Sequence, residues 1–124
     1  MSDKPIKTPG PDHPITIEHD GARVTAAVGG RTIADSSATL TLQEADYPAV
    51  RYFPRADVDM AVLARTDHAT YCPFKGDASY FSVRTDDGVL DNAVWTYEEP
   101  HPAMTEIKEY LAFYPDRIQV TEAG

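Results

Sequence analysis

From Ile15 onward the chain is broken into short runs in which apolar and polar side chains alternate, and the runs stop at glycine, proline or aspartate. Successive side chains of a strand point to opposite faces, so alternation of this kind marks strands with one buried side. Ile17, Val24, Ala26 and Val28 alternate with Thr16, Glu18, Arg23 and Thr25, and Asp20-Gly21 lies between the two stretches as a turn dipeptide. Gly29-Gly30 is the next turn signal, followed by Ile33 and then Leu40 and Leu42 separated by Thr39 and Thr41. This predicts a meander of antiparallel strands. Further strands are predicted at 49–53, stopped by Pro54, at 70–74, at 79–83 and at 93–97. Pro73 inside 70–74 cannot donate to a ladder, so a bulge or a sheet edge is expected there. Residues 111–114 and 118–120, on either side of Pro115-Asp116, read as a final hairpin. Two short helices complete the picture. One is capped by Asp57 with Met60, Leu63 and Ala64 on one face, and the other covers 103–109. The fold class is mainly β, a sandwich or barrel of short antiparallel strands.

At 124 residues the chain is the length of one domain. Four prolines before Ile15 predict an extended arm over residues 1–14, lying across the domain or a neighbouring subunit, with a single domain over 15–124. Cys72 is the one cysteine, which excludes an intrachain disulfide and a zinc site built on cysteine pairs. His13, His19, His68 and His101 have no metal-ligand spacing, so neither a metal nor a cofactor is expected. A net charge of −9 argues against duplex nucleic acid and anionic membrane as partners. The N-terminus lacks the apolar core of a secretory signal, and no apolar run is long enough to span a bilayer. The expectation is a soluble cytoplasmic protein. Gly29-Gly30 is followed by neither lysine nor helix, so it is a hairpin turn and not a phosphate loop.

Five strings carry a family resemblance: 30–36 (GRTIADS), 52–58 (YFPRADV), 70–80 (TYCPFKGDASY), 95–100 (WTYEEP) and 111–114 (LAFY). In that order and spacing the chain resembles the bacterial and fungal family catalogued as domain of unknown function four-two-seven, sometimes labelled nucleotidyltransferase-like. The resemblance runs from about Val24 to Val120, and the Cys-Pro-Phe-Lys-Gly string is its most specific piece. It implies a β-tent, Mss4-like fold, in which two antiparallel sheets lean together along one edge. Relatives of that fold carry a structural zinc on cysteine pairs, and a chain with a single cysteine is expected to lack it.

The candidate site residues each have a structural alternative. Cys72 is a nucleophile if a nearby cation such as Lys75 lowers its pKa, and otherwise a buried thiol between Tyr71 and Phe74. Lys75, in a turn before Gly76, is either solvated or a point charge for a carboxylate or phosphate. Asp57 is a helix cap or a carboxylate facing a pocket. The resemblance puts an acidic residue at Glu44, as a general base or as an ion-pair partner of Lys75 or Arg51. Trp95 and Tyr97 share one face of a strand, and Tyr52 and Tyr80 are candidates to join them as core or as the wall of a cleft. Seven tyrosines are many hydroxyls to satisfy in a core, which favours the cleft. Three functions follow. The first is a domain that binds a small polar or anionic ligand in an aromatic cleft containing Lys75. The second is an enzyme using Cys72, or Lys75 with a carboxylate, for group transfer. The third is an interaction module or homo-oligomer joined through the arm or edge strands.

Overall fold

The computed structural model describes residues 5–19 and 21–123. The chain is mainly antiparallel β. Strands β1 (Ile15–Glu18), β4 (Leu40–Glu44) and β5 (Val50–Tyr52) form one sheet in the order β1-β4-β5. Strands β2 (Arg23–Val28), β3 (Arg31–Ser36) and β10 (Gln119–Ala123) form a second, in the order β10-β2-β3. Strands β6 (Leu63–Cys72), β7 (Gly76–Thr85), β8 (Gly88–Thr96) and β9 (Leu111–Phe113) form the third in sequence order. Where the resemblance implied a pair of antiparallel sheets, the structure has three. Among the described residues no helix is long and apolar enough to cross a membrane.

The four-stranded sheet is apolar on both faces, and cross-strand register divides its side chains. Phe81, Val94 and Phe113 stand opposite one another on one face, while Tyr80, Trp95 and Ala112 stand on the other. The first face packs with Val24, Ala26 and Ile33 of the β2–β3 hairpin and with Ile118. The second packs with Leu42 and Tyr52 of the β1-β4-β5 sheet and with Met104 and Ile107. The β5 end of that smaller sheet is tied to β9, because Phe53 and Leu111 exchange both backbone hydrogen bonds, at 2.8 and 2.9 Å. This seam joins the two sheets, and the second cluster fills the wedge between them.

The β2–β3 turn follows the sequence signal. Gly29 and Gly30 both have positive φ, 57° and 80°, which a two-residue hairpin of the right twist requires. Several expectations are corrected. The strand at 15–18 pairs with β4 and not with β2; of the turn placed between them, Asp20 lies outside the described residues. The segment after Asp57 is only a 3-10 turn, Met60–Val62, and Asp59 caps it by accepting the Ala61 N–H at 3.2 Å. Leu63 and Ala64 already belong to β6, whose ladder runs ten residues to Cys72 with an irregularity between Arg65 and Ala69. Polar residues on an exposed edge strand erase the alternation that would have revealed it. The helix expected at 103–109 is a kinked 3-10 segment, Pro102–Ile107. The final hairpin does not form, since β9 pairs with β8 and β10 crosses to β2.

Candidate functional site

Lys75 sits in the turn between β6 and β7. Its N–H donates to the Cys72 carbonyl at 3.2 Å, and its own carbonyl accepts from His101 N–H at 2.9 Å. Gly76 follows with φ +113°, a conformation that side-chain-bearing residues rarely adopt. The backbone is therefore fixed on both sides of the lysine, and its side chain is turned inward, leaving the residue 9% exposed. There the ammonium donates to Glu44 Oε1, at the end of β4. The other carboxylate oxygen, Oε2, lies 2.8 Å from His13 Nε2. An ionised carboxylate only accepts, so Nε2 carries the proton in this contact.

His13 comes from the N-terminal arm. The arm is closed into a turn by reciprocal Gly10 and His13 backbone bonds at 3.3 and 3.0 Å, and Lys7 N–H donates to the Pro73 carbonyl at 2.9 Å. The imidazole stacks on Phe74, 4.1 Å between centroids and 8° from parallel. Residues 5–14 thus lie across the domain itself, and they place a second donor on Glu44.

Beside this charge cluster stand the aromatic side chains of the second core face. Trp95 Nε1 donates to the Tyr52 hydroxyl at 3.3 Å, with the two rings edge to face. Tyr114 leans on Trp95 at 4.5 Å, and its hydroxyl lies 3.4 Å from that of Tyr80, which in turn meets Thr70 Oγ1 at 2.9 Å. Tyr97 is 6% exposed, and among the described residues its hydroxyl has no hydrogen-bond partner.

These groups line a cleft of about 640 Å³. Glu44, Tyr52, Lys75, Tyr80, Trp95 and Tyr97 from the sequence reading all face it, joined by Arg51, Phe113, Tyr114 and a rim at Tyr47 and Pro48. The remaining two candidates lie elsewhere. Asp57 is an exposed residue that accepts the Ser36 hydroxyl at 2.6 Å. Cys72, half-buried at the end of β6, packs against the second core cluster and is not among the cleft-lining residues. The sequence reading missed His13 and Tyr114. Tyr114 was within reach, one residue beyond the Leu-Ala-Phe strand, but His13 carried no signal because only the folded-back arm brings it to Glu44. Arg51, considered as a partner for Glu44, instead pairs with Glu122 of β10.

Burial works against the Glu44 carboxylate, but the hydrogen bonds from Lys75 and His13 outweigh it and hold its pKa below the usual value. Burial raises the phenols of Tyr52 and Tyr97, and it pushes Tyr114 up to about 12, helped by the bond to Tyr80. At neutral pH the phenols of Tyr52, Tyr97 and Tyr114 therefore stay protonated and Glu44 stays a carboxylate. A depressed carboxylate pKa stabilises the fold above its ordinary titration range, and that contribution disappears as pH falls through the folded-state value. Glu98, held low chiefly by its bond to Arg65, adds the same acid dependence. In urea melts at pH values from about 7 down to about 3, the wild-type midpoint is expected to fall more steeply than that of Glu44→Gln. Parallel curves would show that Glu44 ionisation contributes nothing to folding.

A search of curated proteins found no match. A family model described as "Domain of unknown function (DUF427)" matches residues 16–124, nearly all of the chain beyond the proline-rich arm. The chain belongs to the DUF427 family.

Proposed function

We propose that the cleft is a binding site for a small polar or anionic molecule, with Lys75 as its anchor. The observation that carries this reading is a surplus of donors. An ammonium has three N–H groups, and Lys75 uses one, on Glu44. The Tyr97 hydroxyl beside the same cleft is unpartnered. Glu44 has both oxygens engaged, which suits it to orienting the ammonium. The same pairing holds the Lys75 ammonium at the cleft, which suits it to electrostatic binding. A pocket with apolar walls and a few placed polar groups is the usual form of a small-molecule site.

The test is a thermal-shift screen of small acids and polar metabolites, with hits titrated calorimetrically against wild type, Lys75→Met and Tyr97→Phe. Losing a charge-assisted hydrogen bond is expected to weaken binding by roughly tenfold or more in Lys75→Met, and losing the hydroxyl by several-fold in Tyr97→Phe. Tyr97→Phe keeps the ring and so controls for misfolding of the lysine variant. Hits that bind both variants as tightly as wild type would overturn the assignment.

A further inference from the structure

The same cleft restricts the ligand more tightly than "polar or anionic". Resting on the reading above, we infer that the cleft takes an aromatic monocarboxylate, its carboxylate on the Lys75 ammonium and the Tyr97 hydroxyl and its ring among the aromatic walls.

The donor inventory gives the head group. The hydrogen-bonding groups left open at the cleft include two N–H donors of Lys75 and the O–H of Tyr97, which can also donate. The Tyr52 oxygen already accepts from Trp95, which leaves its proton to donate. Both carboxylate oxygens of Glu44 are already engaged, by Lys75 and His13, so a ligand cation would have to share them. A ligand group made only of acceptors fits this set, and a carboxylate is the compact one.

The charge count sets how much negative charge the ligand carries. Among the described residues the cations lining the cleft are Lys75 and Arg51, and each already faces a carboxylate, Glu44 and Glu122 respectively. A nucleoside polyphosphate would bring several negative charges to two cations that are already compensated, and no cluster of described acidic, histidine or cysteine side chains is arranged to hold a metal that would offset them. A single negative charge needs only the unfilled donors.

The walls give the body. Tyr52, Tyr80, Trp95, Tyr97 and Tyr114 are all aromatic, and Trp95 meets Tyr52 edge to face and Tyr114 at a tilt. A flat aromatic ring reproduces those offset and edge-to-face contacts, whereas a saturated ring offers no π face or polarised edge.

Trp95 is the only tryptophan, so the chain has one indole N–H, and it lies in this cleft. Its resonance in a ¹H–¹⁵N spectrum of the full chain is the readout. Four probes are titrated: 2-naphthoate, its neutral amide 2-naphthamide, the saturated-ring acid decahydro-2-naphthoate, and ADP with magnesium. The expected result is a saturable shift with 2-naphthoate, with the amide at least tenfold weaker, the saturated acid at least threefold weaker, and ADP weaker than the naphthoate. In Lys75→Met the acid is expected to lose its advantage over the amide, and in Tyr97→Phe to lose part of it. Equal binding of acid and amide, equal binding of the aromatic and saturated acids, or tighter binding of ADP would overturn the inference while leaving a ligand site in place. If no probe moves the indole resonance but hits from the thermal-shift screen do, the aromatic-acid assignment fails alone. If neither moves it, the ligand site fails as well.

Discussion

Glu44→Leu is expected to destabilise the protein by about 3 kcal/mol, and the double substitution Glu44→Leu with Lys75→Met to recover most of that loss. Removing one member of a buried ion pair costs about 3–5 kcal/mol, because the remaining charge is left desolvated and uncompensated. The side chains of Lys75 and Glu44 are 11% and 15% exposed, and the ammonium opens on a cleft that water enters, which places the cost at the lower end of that range. Replacing both charges by apolar residues of similar size removes the desolvation problem, and such replacements are often neutral or stabilising. For a domain of this length the single variant corresponds to a melting point lower by roughly 10–15 °C. Thermal denaturation of the two single variants and the double variant, analysed as a double-mutant cycle, measures the coupling. A double variant whose loss equals the sum of the single losses would show that the pair has no coupled energy. In that case the charges contribute to stability independently, and Glu44 does not position Lys75.

The strands buried on one face were legible in the sequence because the physics that makes them is local. Ile33, Leu42 and Val24 alternate with polar neighbours, and Gly29-Gly30 supplies the two positive φ angles of its turn. The failures were of partnership. Nothing in the composition of Ile15–Glu18 says that it pairs with β4 across more than twenty residues, since its register depends on which apolar face is left to cover. Leu111–Phe113 and Gln119–Ala123 are close in sequence and turn-linked, yet they belong to different sheets, because both faces of the four-stranded sheet must be covered. The first part of β6 was hidden by Thr66, Asp67 and His68, which sit on an irregular, exposed edge with no buried face to impose alternation.

The site was more legible than the topology. Six of its side chains could be picked out, because a tryptophan and a tyrosine two residues apart must share a face, and because a lysine before a glycine in an aromatic-rich turn is held in a defined place. What could not be read was how the charges pair. Glu44 had two cations to choose from, and only the three-dimensional path of β10 gives Arg51 to Glu122 and leaves Lys75 for Glu44. Asp57 was a misreading of its neighbourhood, as the turn it was expected to cap begins two residues later at Asp59.

The cleft is lined by residues of two sheets that are joined at a seam, so a single substitution at the seam should do great damage. Phe53 has no exposed surface, and its ring meets Phe113 edge to face at 5.2 Å and 82°. Its backbone makes the paired bonds to Leu111 that join β5 to β9, and its neighbour Tyr52 projects to the opposite side, into the cleft. Phe53→Ala removes a large buried ring and leaves a cavity that rigid strands on either side cannot close, at a cost of about 3–5 kcal/mol. The backbone bonds do not need the side chain, so the strands should still pair and the loss should come from packing. Phe53→Leu, which keeps most of the apolar volume, is therefore expected to cost less than half as much. Urea denaturation of both variants measures the two losses at an unchanged dependence on denaturant. The Trp95 emission maximum of the folded variants reports on the cleft at the same time, since the indole stands on Tyr52 at 3.3 Å. A Phe53→Ala protein as stable as wild type, with unshifted emission, would mean that the seam is held by its backbone bonds alone. The wedge between the sheets would then be set by the packing of Leu42, Met104 and Ile107.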